Sequence, residues 1–196
     1  MTAKPPAPVT LAGTHVRLEP FDRIHLSDLF AATGRDEEVW RWIPVPVPQT
    51  EHQLAERIDV WRDNGFLPFA VVGQETGRTI GLTCYLDIST ADERLEIGGT
   101  FYARSHWRTA VNTEAKLLLL AHAFEELGMG RVCWKTDSRN ERSRNAISRL
   151  GARHEGTHRR DRHCPDGTFR DTAYFSMLRD EWPAAKVRLT ERLAAG

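Results

Sequence analysis

The segment Phe101–Leu120 (FYARSHWRTAVNTEAKLLLL) constrains the fold most, because it leads from a strand into the most hydrophobic helix of the chain. We expect this helix to run to about Leu127 and to end at Gly128. It is apolar over most of its circumference, which is typical of a helix buried on several sides. The first turn of a helix offers unpaired N–H groups and the positive end of the helix dipole. The segment therefore predicts a buried helix whose polar start is suited to an anion such as phosphate.

Elements predicted on either side of this segment define the fold class. Before it, the patterns indicate a strand in THVRLEPF, helices that end at Gly34 and Gly65, and three strands up to Tyr102. After it come a strand (RVCWKTD), a helix (NERSRNAISRLGA) and a hairpin around the polar turn CPDGTF. This order predicts an α/β protein with a mixed, α+β type sheet and helices on both faces. We expect a flexible lead-in at residues 1–10, one domain at 11–182 and a helical tail at 183–196.

Composition excludes several classes of protein. Lys and Arg total 27, as do Asp and Glu, and this balance disfavours a nucleic-acid partner. Cys84, Cys133 and Cys164 lack metal-site spacing, and the eight His are scattered, so no metal is expected. The start MTAKPPAPVT is too polar for a signal peptide, and no apolar run is long enough to span a membrane. These features together predict a cytoplasmic protein without a membrane partner.

Four stretches carry a resemblance to a known family: VRLEPF, RTIGLTCYLDI, WRTAVNTEAKLLLLAHAFEELG and NERSRNAISRLGARHEG. They resemble the GNAT superfamily of acyl-CoA-dependent N-acyltransferases, in particular its RimJ/RimL-like branch. The resemblance implies the GNAT fold with splayed central strands. It also implies transfer of an acetyl group from acetyl-CoA to a primary amine, by direct attack in a ternary complex. A protein N-terminal α-amine is the acceptor typical of this branch, and the family also suggests a homodimer.

The acceptor and the acyl group stay open at this point. A polyamine, an antibiotic amine or an amino acid is an alternative acceptor, and succinyl-CoA or another short acyl-CoA is an alternative donor. A cationic acceptor would need carboxylates such as Glu37, Glu38 or Glu51 to face its cleft. A CoA-binding module without catalysis is the alternative of another class, and a structural protein would bind no CoA at all.

The resemblance places the diphosphate of CoA against the bend before the long helix. Its implied cofactor-binding residues are Phe101, Tyr102, Arg104, Trp107, Arg108, Thr109, Ala110, Val111, Asn112, Thr113, Asn140 and Ser143. The backbone of residues 108–113 would cradle the diphosphate, with added charge from Arg104 or Arg108. The usual loop reads Gln/Arg-x-x-Gly-x-Gly/Ala, whereas this chain has Trp107, Ala110 and Asn112 at those positions. An ordinary turn capped by Thr109 or Thr113 is the alternative.

The second motif, NERSRNAISRLGA, contributes Asn140 and Ser143. The resemblance implies that Asn140 contacts the pantetheine arm and that Ser143 protonates the leaving thiolate. Ser143 shares a helical face with Ala146, Ile147 and Leu150, so we expect it to point into the cleft. In the alternative interpretation, Asn140 only caps the helix and Ser143 only fills its first turn.

Glu96 is the preferred candidate for the catalytic base. It lies on the strand face opposite Leu95 and Ile97, and Gly98 leaves room beside it. Burial would raise its pKa into a useful range, but a solvated strand carboxylate is the alternative that we favour slightly. The strand Gly98–Tyr102 is expected to supply an N–H group for the developing oxyanion. Glu155 and Asp171 are weaker candidates for the base.

Other residues receive structural interpretations. Trp40, Trp42 and Trp61 are interpreted as core aromatics rather than as an acceptor slot. The stretch HRRDRH at 158–163 is expected to be a solvated turn of mixed charge. Cys133 is the only cysteine considered as a nucleophile, and direct attack by the amine is favoured over it.

Overall fold

A computed structural model describes residues 2–195, which form an eight-stranded sheet with the strand order β1-β2-β3-β4-β5-β6-β8-β7. Only β5 and β6 are parallel, and the other neighbours are antiparallel. The strands are β1 (Leu11–Ala12), β2 (Val16–Pro20), β3 (Leu67–Gly73), β4 (Thr79–Ser89), β5 (Arg94–Tyr102), β6 (Arg131–Asp137), β7 (Arg153–His163) and β8 (Phe169–Leu178). The predicted mixed sheet is confirmed.

Helices cover both faces of this sheet. They are α1 (Leu26–Thr33), α2 (Glu37–Trp40), α3 (Glu51–Asp63), α4 (Ala110–Ala121), α5 (Glu141–Leu150) and α6 (Trp182–Ala194). Leu119 and Leu120 of α4 pack with Leu95 and Ile97 in one apolar cluster. Leu54 and Ile58 of α3 and the neighbouring helices pack with Leu82 in the other. Because side chains alternate along a strand, β4 and β5 supply residues to both clusters.

Local signals fix several helix ends. Thr50 and Gln53 have the spacing that predicts a capping box, and Thr50 accepts a hydrogen bond from the Gln53 N–H group at 3.2 Å. The Gln53 side chain differs from the prediction, because it accepts from the N–H of Gln49, one residue before the cap. The helix expected to reach Leu127 is α-helical to Ala121 and continues as a π-turn over His122–Glu126.

The sheet splits between its two parallel strands. Residues 94–96 of β5 pair with residues 131–133 of β6, and no pairing between these strands is found beyond them in residues 2–195. On the other side of β5, the register with β4 shifts between Gly98 and Phe101, and Gly99 has φ +57°. A Cβ atom at Gly99 would lie 3.2 Å from Cys84 Sγ. Glycine therefore suits this position both by its left-handed conformation and by the little space beside Cys84. The predicted splay of the central strands is confirmed, and it opens a gap at residues 97–102.

A buried carboxylate ties the first hairpin to α4. Glu114 accepts hydrogen bonds from the N–H groups of Thr14, His15 and Val16, at 2.8, 2.7 and 2.7 Å. A Cβ atom at Gly13 would overlap the Glu114 carboxylate, so a larger residue there would displace the acceptor of these three hydrogen bonds. These three hydrogen bonds, called the Glu114 clasp below, hold the β1–β2 hairpin at the edge of the sheet against α4.

The chain ends lie against this frame. Residues 2–10 contain no helix or strand, yet Ala3 is buried and the Lys4 N–H group donates to Leu127 O at 2.8 Å. The predicted tail helix is present as α6, and its Trp182 Nε1 donates to Glu125 at 2.6 Å. Between residues 2 and 195, no helix combines the length and apolar character that crossing a bilayer requires.

The stretch 158–163 was expected to be a turn, and that expectation is wrong. These residues belong to β7, whose register with β8 shifts between His158 and Arg162. The shift places extra residues in β7, and Arg160 adopts φ +50° there. The stretch is thus a bulged strand that carries its charges along the sheet edge.

Candidate active site

A cavity of about 1000 Å³ occupies the gap between β5 and β6. The two sequence motifs meet on its walls, although about 30 residues separate them along the chain. The predicted site residues that line it are Glu96, Phe101, Tyr102, Trp107, Arg108, Thr109, Asn112, Thr113, Asn140 and Ser143. The structure therefore brings the candidate base and most of the implied cofactor-binding residues into one space.

The start of α4 forms one end of the cavity. Arg108 adopts φ +62°, a left-handed conformation that turns the chain sharply before Thr109 caps the helix. Thr109 Oγ1 accepts from the Val111 N–H group at 3.4 Å, so the cap expected in the alternative interpretation is present at a cavity-lining residue. Ala110 and Val111 do not line the cavity, since Ala110 opens the helix and Val111 is buried in the core.

Arginine side chains surround this end. The Arg142 guanidinium lies 3.6 Å from the centre of the Trp107 ring, and that of Arg104 lies 5.9 Å from it. Trp107 is held in place by a hydrogen bond from its Nε1 to Tyr102 O at 3.0 Å. Among the described residues, Arg104, Arg108 and Arg142 form no ion pair with a carboxylate, although Arg104 itself lies outside the cavity wall. Unpaired guanidinium groups beside a helix start suit a phosphorylated ligand.

Two buried polar atoms of cavity-lining residues lack partners. Trp134 Nε1 and the Tyr102 hydroxyl have no hydrogen-bond partner within residues 2–195, and both residues line the cavity. Buried donors are nearly always hydrogen-bonded in folded proteins, so these two atoms point to a polar ligand. The amide groups of a pantetheine arm would satisfy them, and the residues present therefore fit CoA.

Ser143 and Asn140 occupy the wall formed by α5. Ser143 lines the cavity together with Ala146, Ile147 and Leu150, which confirms the predicted orientation of this helical face. Asn140 Oδ1 accepts from the Ser143 N–H group at 3.0 Å. Asn140 thus caps α5, as in the alternative interpretation, and it also lines the cavity; its contact with the pantetheine arm stays a prediction.

Glu96 lies buried at the point where β5 and β6 separate. Only 4% of it is exposed, so the expectation of a solvated carboxylate is wrong. Burial raises its pKa, and the positive charge of Lys135 partly opposes this effect. Lys135 Nζ lies 2.8 Å from Glu96 Oε2, but the angle is not that of a hydrogen bond, and Oε2 has no hydrogen-bond partner within residues 2–195. Glu96 is thus a buried carboxylate of the cavity wall that forms an ion pair with Lys135.

The surroundings of Glu96 agree with the other predictions for it. A Cβ atom at Gly98 would lie 2.9 Å from Glu96 Oε1, so Gly98 does leave the room that was expected. Lys135 Nζ also forms an ion pair with Asp87. The positive charge of Lys135 is therefore shared between two carboxylates and stabilises ionised Glu96 less than it otherwise would. The weaker candidates lie outside the cavity: Glu155 pairs with Arg131, and Asp171 accepts from the Arg160 N–H group at 2.8 Å.

Lys116 is a cavity residue that the sequence analysis missed. Its Nζ donates to the hydroxyls of Thr83 and Thr100, at 2.9 and 2.7 Å, and only 4% of the residue is exposed. Burial lowers its pKa to about 7. A lysine inside the apolar run EAKLLLL was the available signal, because a charged group on a buried helix needs a polar partner or a function.

The three tryptophans divide between core and cavity. Trp40 is a core residue, as interpreted, with its Nε1 donating to Thr33 O at 2.7 Å. Trp61 is buried in the core and also lines the cavity. Trp42 lines the cavity and is only half-buried, so the interpretation of Trp42 as a core residue is wrong. Cys133 does not line the cavity, and burial raises the pKa of its thiol to about 11.

The cavity has few acidic groups. Within residues 2–195, its carboxylates are Asp87 and Glu96, and Glu37, Glu38 and Glu51 do not line it. No three His, Cys, Asp or Glu side chains of this part of the chain lie close enough together to hold a metal ion. The site therefore offers one buried carboxylate, several basic groups and unpaired donors.

Comparisons with known proteins place this geometry in a family. The family described as the acetyltransferase (GNAT) domain matches residues 15–153. A curated Bacillus subtilis protein named "Putative ribosomal N-acetyltransferase YdaF" is 31% identical over 110 residues, which are 56% of this chain. The match spans 59% of that relative's length.

Solved structures show the same fold. A GCN5-related N-acetyltransferase from Brucella melitensis superposes with a TM-score of 0.92 at 32% identity, covering 98% of this chain and 89% of that one. RimJ from Mycobacterium smegmatis, solved in complex with CoA-disulfide, gives a TM-score of 0.82 at 21% identity, covering 94% and 95%. At 21% identity the RimJ likeness concerns the fold alone. The chain belongs to the GNAT family of N-acetyltransferases, which take their acetyl group from acetyl-CoA, as its motifs predict.

Proposed function

We propose that this protein transfers an acetyl group from acetyl-CoA to a primary amine by direct attack in a ternary complex. The observation that carries the proposal is the split between β5 and β6, which joins the start of α4 to Glu96 through one cavity. A protein N-terminal α-amine is the preferred acceptor, and the Bacillus subtilis relative is named a ribosomal N-acetyltransferase, which agrees with a protein acceptor. The homodimer and the cytoplasmic location stay predictions.

The start of α4 binds the diphosphate in this proposal. Arg108, Thr109 and Asn112 line the cavity at this helix start and offer it their backbone N–H groups, and Arg108 and Arg142 supply positive charge. Asn112 stands where the family usually has a small residue, and its side-chain amide lines the cavity as a further donor. Trp107 replaces the usual Gln or Arg, but it keeps a cation nearby by stacking against Arg142.

The middle of the cavity holds the pantetheine arm and the thioester. Trp134 Nε1, the Tyr102 hydroxyl and Asn140 give the arm polar partners. Because the N–H groups of a strand point alternately to its two edges, those of alternate residues in 98–102 face the side that β6 leaves open, where one of them stabilises negative charge on the carbonyl oxygen. Ser143 faces the cavity and supplies a proton to the leaving thiolate.

Glu96 accepts the proton of the attacking amine. An α-amine with a pKa of about 7.7–8 loses its proton at neutral pH for less than about 1 kcal/mol, whereas a lysine amine requires about 4 kcal/mol. A carboxylate whose pKa is raised by burial is a sufficient base for the α-amine. The Cys133 thiol stays protonated at neutral pH because burial raises its pKa to about 11, which favours direct attack over an acyl-cysteine route.

Two measurements test the proposal. Calorimetry with CoA and acetyl-CoA should detect binding to the folded protein, and release of free CoA thiol should depend on an added amine. Binding without amine-dependent thiol release would instead support the CoA-binding module, which the altered residues Ala110 and Asn112 keep as the second candidate. Absence of binding to the properly folded protein would contradict both.

A further inference from the structure

Two arginines face each other beside the candidate base. Arg162 on β7 and Arg170 on β8 are direct partners in the antiparallel register, and both line the cavity. Like charges directly opposite across two strands destabilise a sheet. Such a pair is expected to have a compensating anion close by.

Nearby carboxylates are engaged elsewhere. Asp137, Asp161 and Glu96 are close enough to act electrostatically on Arg170. Asp137 forms its ion pair with Arg139 at 2.8 Å, and Glu96 forms its own with Lys135. The Asp161 carboxylate contacts His158 at 3.8 Å. Within residues 2–195, neither arginine of the pair forms an ion pair with any of these carboxylates.

Arg170 is buried with most of its donors unused. Only 8% of the residue is exposed, and its Nε donates to Thr172 Oγ1 at 2.9 Å. Its two Nη atoms have no hydrogen-bond partner among the described residues, and the residue lines the cavity. A guanidinium carries five N–H donors in a fixed fork, so most of the hydrogen-bonding capacity of Arg170 is free for water or a ligand. The Nη atoms are not fully buried, and a ligand in the cavity can reach them.

We propose that Arg162 and Arg170 bind a carboxylate carried by one of the two reacting molecules. The inference rests on the proposed acetylation of an amine, and it adds the substrate class. A planar guanidinium matches a carboxylate through two parallel hydrogen bonds. Arg162 is within electrostatic range of Glu96, so the bound carboxylate lies on the side of the cavity where the amine loses its proton.

The acceptor amine is the favoured source of this carboxylate. An amino acid and a peptide with an acidic residue near its N-terminus both provide an amine and a carboxylate in one molecule. A cationic acceptor is disfavoured, because Glu37, Glu38 and Glu51 lie outside the cavity. The second source of the same chemistry is a dicarboxylic acyl group such as succinyl, and the experiment separates the two.

Turnover with matched substrates forms the first arm. Thiol release is measured for L-methionine against L-methioninamide and for Asp-Ala-amide against Asn-Ala-amide, each with acetyl-CoA. Succinyl-CoA is compared with acetyl-CoA on L-methioninamide. In at least one of these pairs, we expect the wild type to have a kcat/KM about 10- to 100-fold higher for the substrate that carries the carboxylate. A factor of this size is expected when the other substrate of the pair cannot form the charged hydrogen bonds. A preference among the amines assigns the carboxylate to the acceptor, and a preference for succinyl-CoA assigns it to the acyl group.

Variants connect that preference to the arginine pair. Arg170→Gln and Arg162→Gln should abolish it, while Arg159→Gln, an exposed arginine of the same strand outside this cavity, should retain it. Arg170→Lys should recover only part of it, since lysine keeps the charge but loses the fork. An undiminished preference in Arg170→Gln and Arg162→Gln would overturn the inference, as would a wild type that reacts equally well with all members.

A binding measurement without turnover forms the second arm. The Tm is compared in about 50 mM sodium succinate and in sodium chloride of equal ionic strength. Succinate should raise the wild-type Tm by about 2 °C more than that of Arg170→Gln. Equal shifts would overturn the inference, even if no amine is acetylated and the proposed function itself fails. If Arg170→Gln does not fold, Arg162→Gln serves in both arms, because its side chain is exposed.

Discussion

Replacement of Lys116 by methionine tests whether a buried amine titrates near neutral pH in this protein. Lys116 Nζ bonds two threonine hydroxyls and no carboxylate, and burial lowers its pKa from 10.5 to about 7. Between these two values the unfolded chain holds the proton and the native chain releases it. The free energy of unfolding must therefore rise with pH through this window and level off below about pH 7. The Met variant lacks this contribution.

The two pKa values set the order of magnitude of the expected effect. With these two pKa values, linkage gives a gain of about 2 kcal/mol for the wild type relative to the variant between pH 7 and pH 9. For a chain of this length, the gain corresponds to about 4–8 °C in Tm. Thr83 and Thr100 lie 2.8 Å apart and remain hydrogen-bonded to each other, so methionine leaves no buried hydroxyl unpaired. The variant should accordingly be more stable than the wild type at pH 7, with a smaller advantage at pH 9.

Urea unfolding followed by tryptophan fluorescence from pH 6 to 9 measures this effect. The difference between wild type and variant isolates Lys116, because Lys116 does not act on His122 or Cys133. Cys84 does interact with Lys116, but burial raises the pKa of its thiol far above pH 9, so the native thiol stays neutral in both proteins. Lys186→Met removes an exposed lysine and should show no such pH-dependent difference. A wild-type minus variant difference that stays constant from pH 7 to 9 would refute the argument that Lys116 releases its proton in the native state.

Three further substitutions test the site and its support. Asn112→Asp should weaken CoA binding about tenfold or more, because it places a carboxylate next to the diphosphate. The control Asn145→Asp changes an exposed residue and should leave the affinity unchanged. An unchanged affinity of Asn112→Asp for CoA would mean that the diphosphate lies elsewhere. Glu96→Gln should reduce turnover more at pH 7 than at pH 9, where an α-amine is already neutral, and a parallel pH profile would remove Glu96 as the base. Glu114→Ala should lower the free energy of unfolding by about 3 kcal/mol or more, because three N–H groups lose a charged acceptor. A decrease of less than about 1 kcal/mol, measured by urea unfolding, would contradict this prediction.

Features that depend on local patterns were predictable from the sequence. The strand, bend and buried helix of Phe101–Leu120 are present, as is the inward face of α5 that carries Ser143. Helical and strand periodicities determine these features without knowledge of distant partners. The family motifs added the splayed strands, which periodicity alone does not encode.

Features that depend on pairing between distant residues were not predictable. Lys116 is stabilised by hydroxyls that lie 33 and 16 residues away in the sequence. The burial of Glu96 depends on β6, which follows only after α4 and contributes Lys135. Arg162 faces Arg170 because of a bulge in β7, and an extra residue in a strand changes which side chains reach the cavity.

The Glu114 clasp has a consequence for the order of events during synthesis. Its carboxylate joins residues that are 98–100 positions apart. At roughly 5–20 residues per second, a ribosome needs about 5–20 s to progress from one partner to the other. During that interval the N–H groups of Thr14, His15 and Val16 hydrogen-bond to water instead. Docking of the N-terminal hairpin through Glu114 therefore cannot precede the emergence of α4, although β6, α5, β7, β8 and α6 are still to be made at that point.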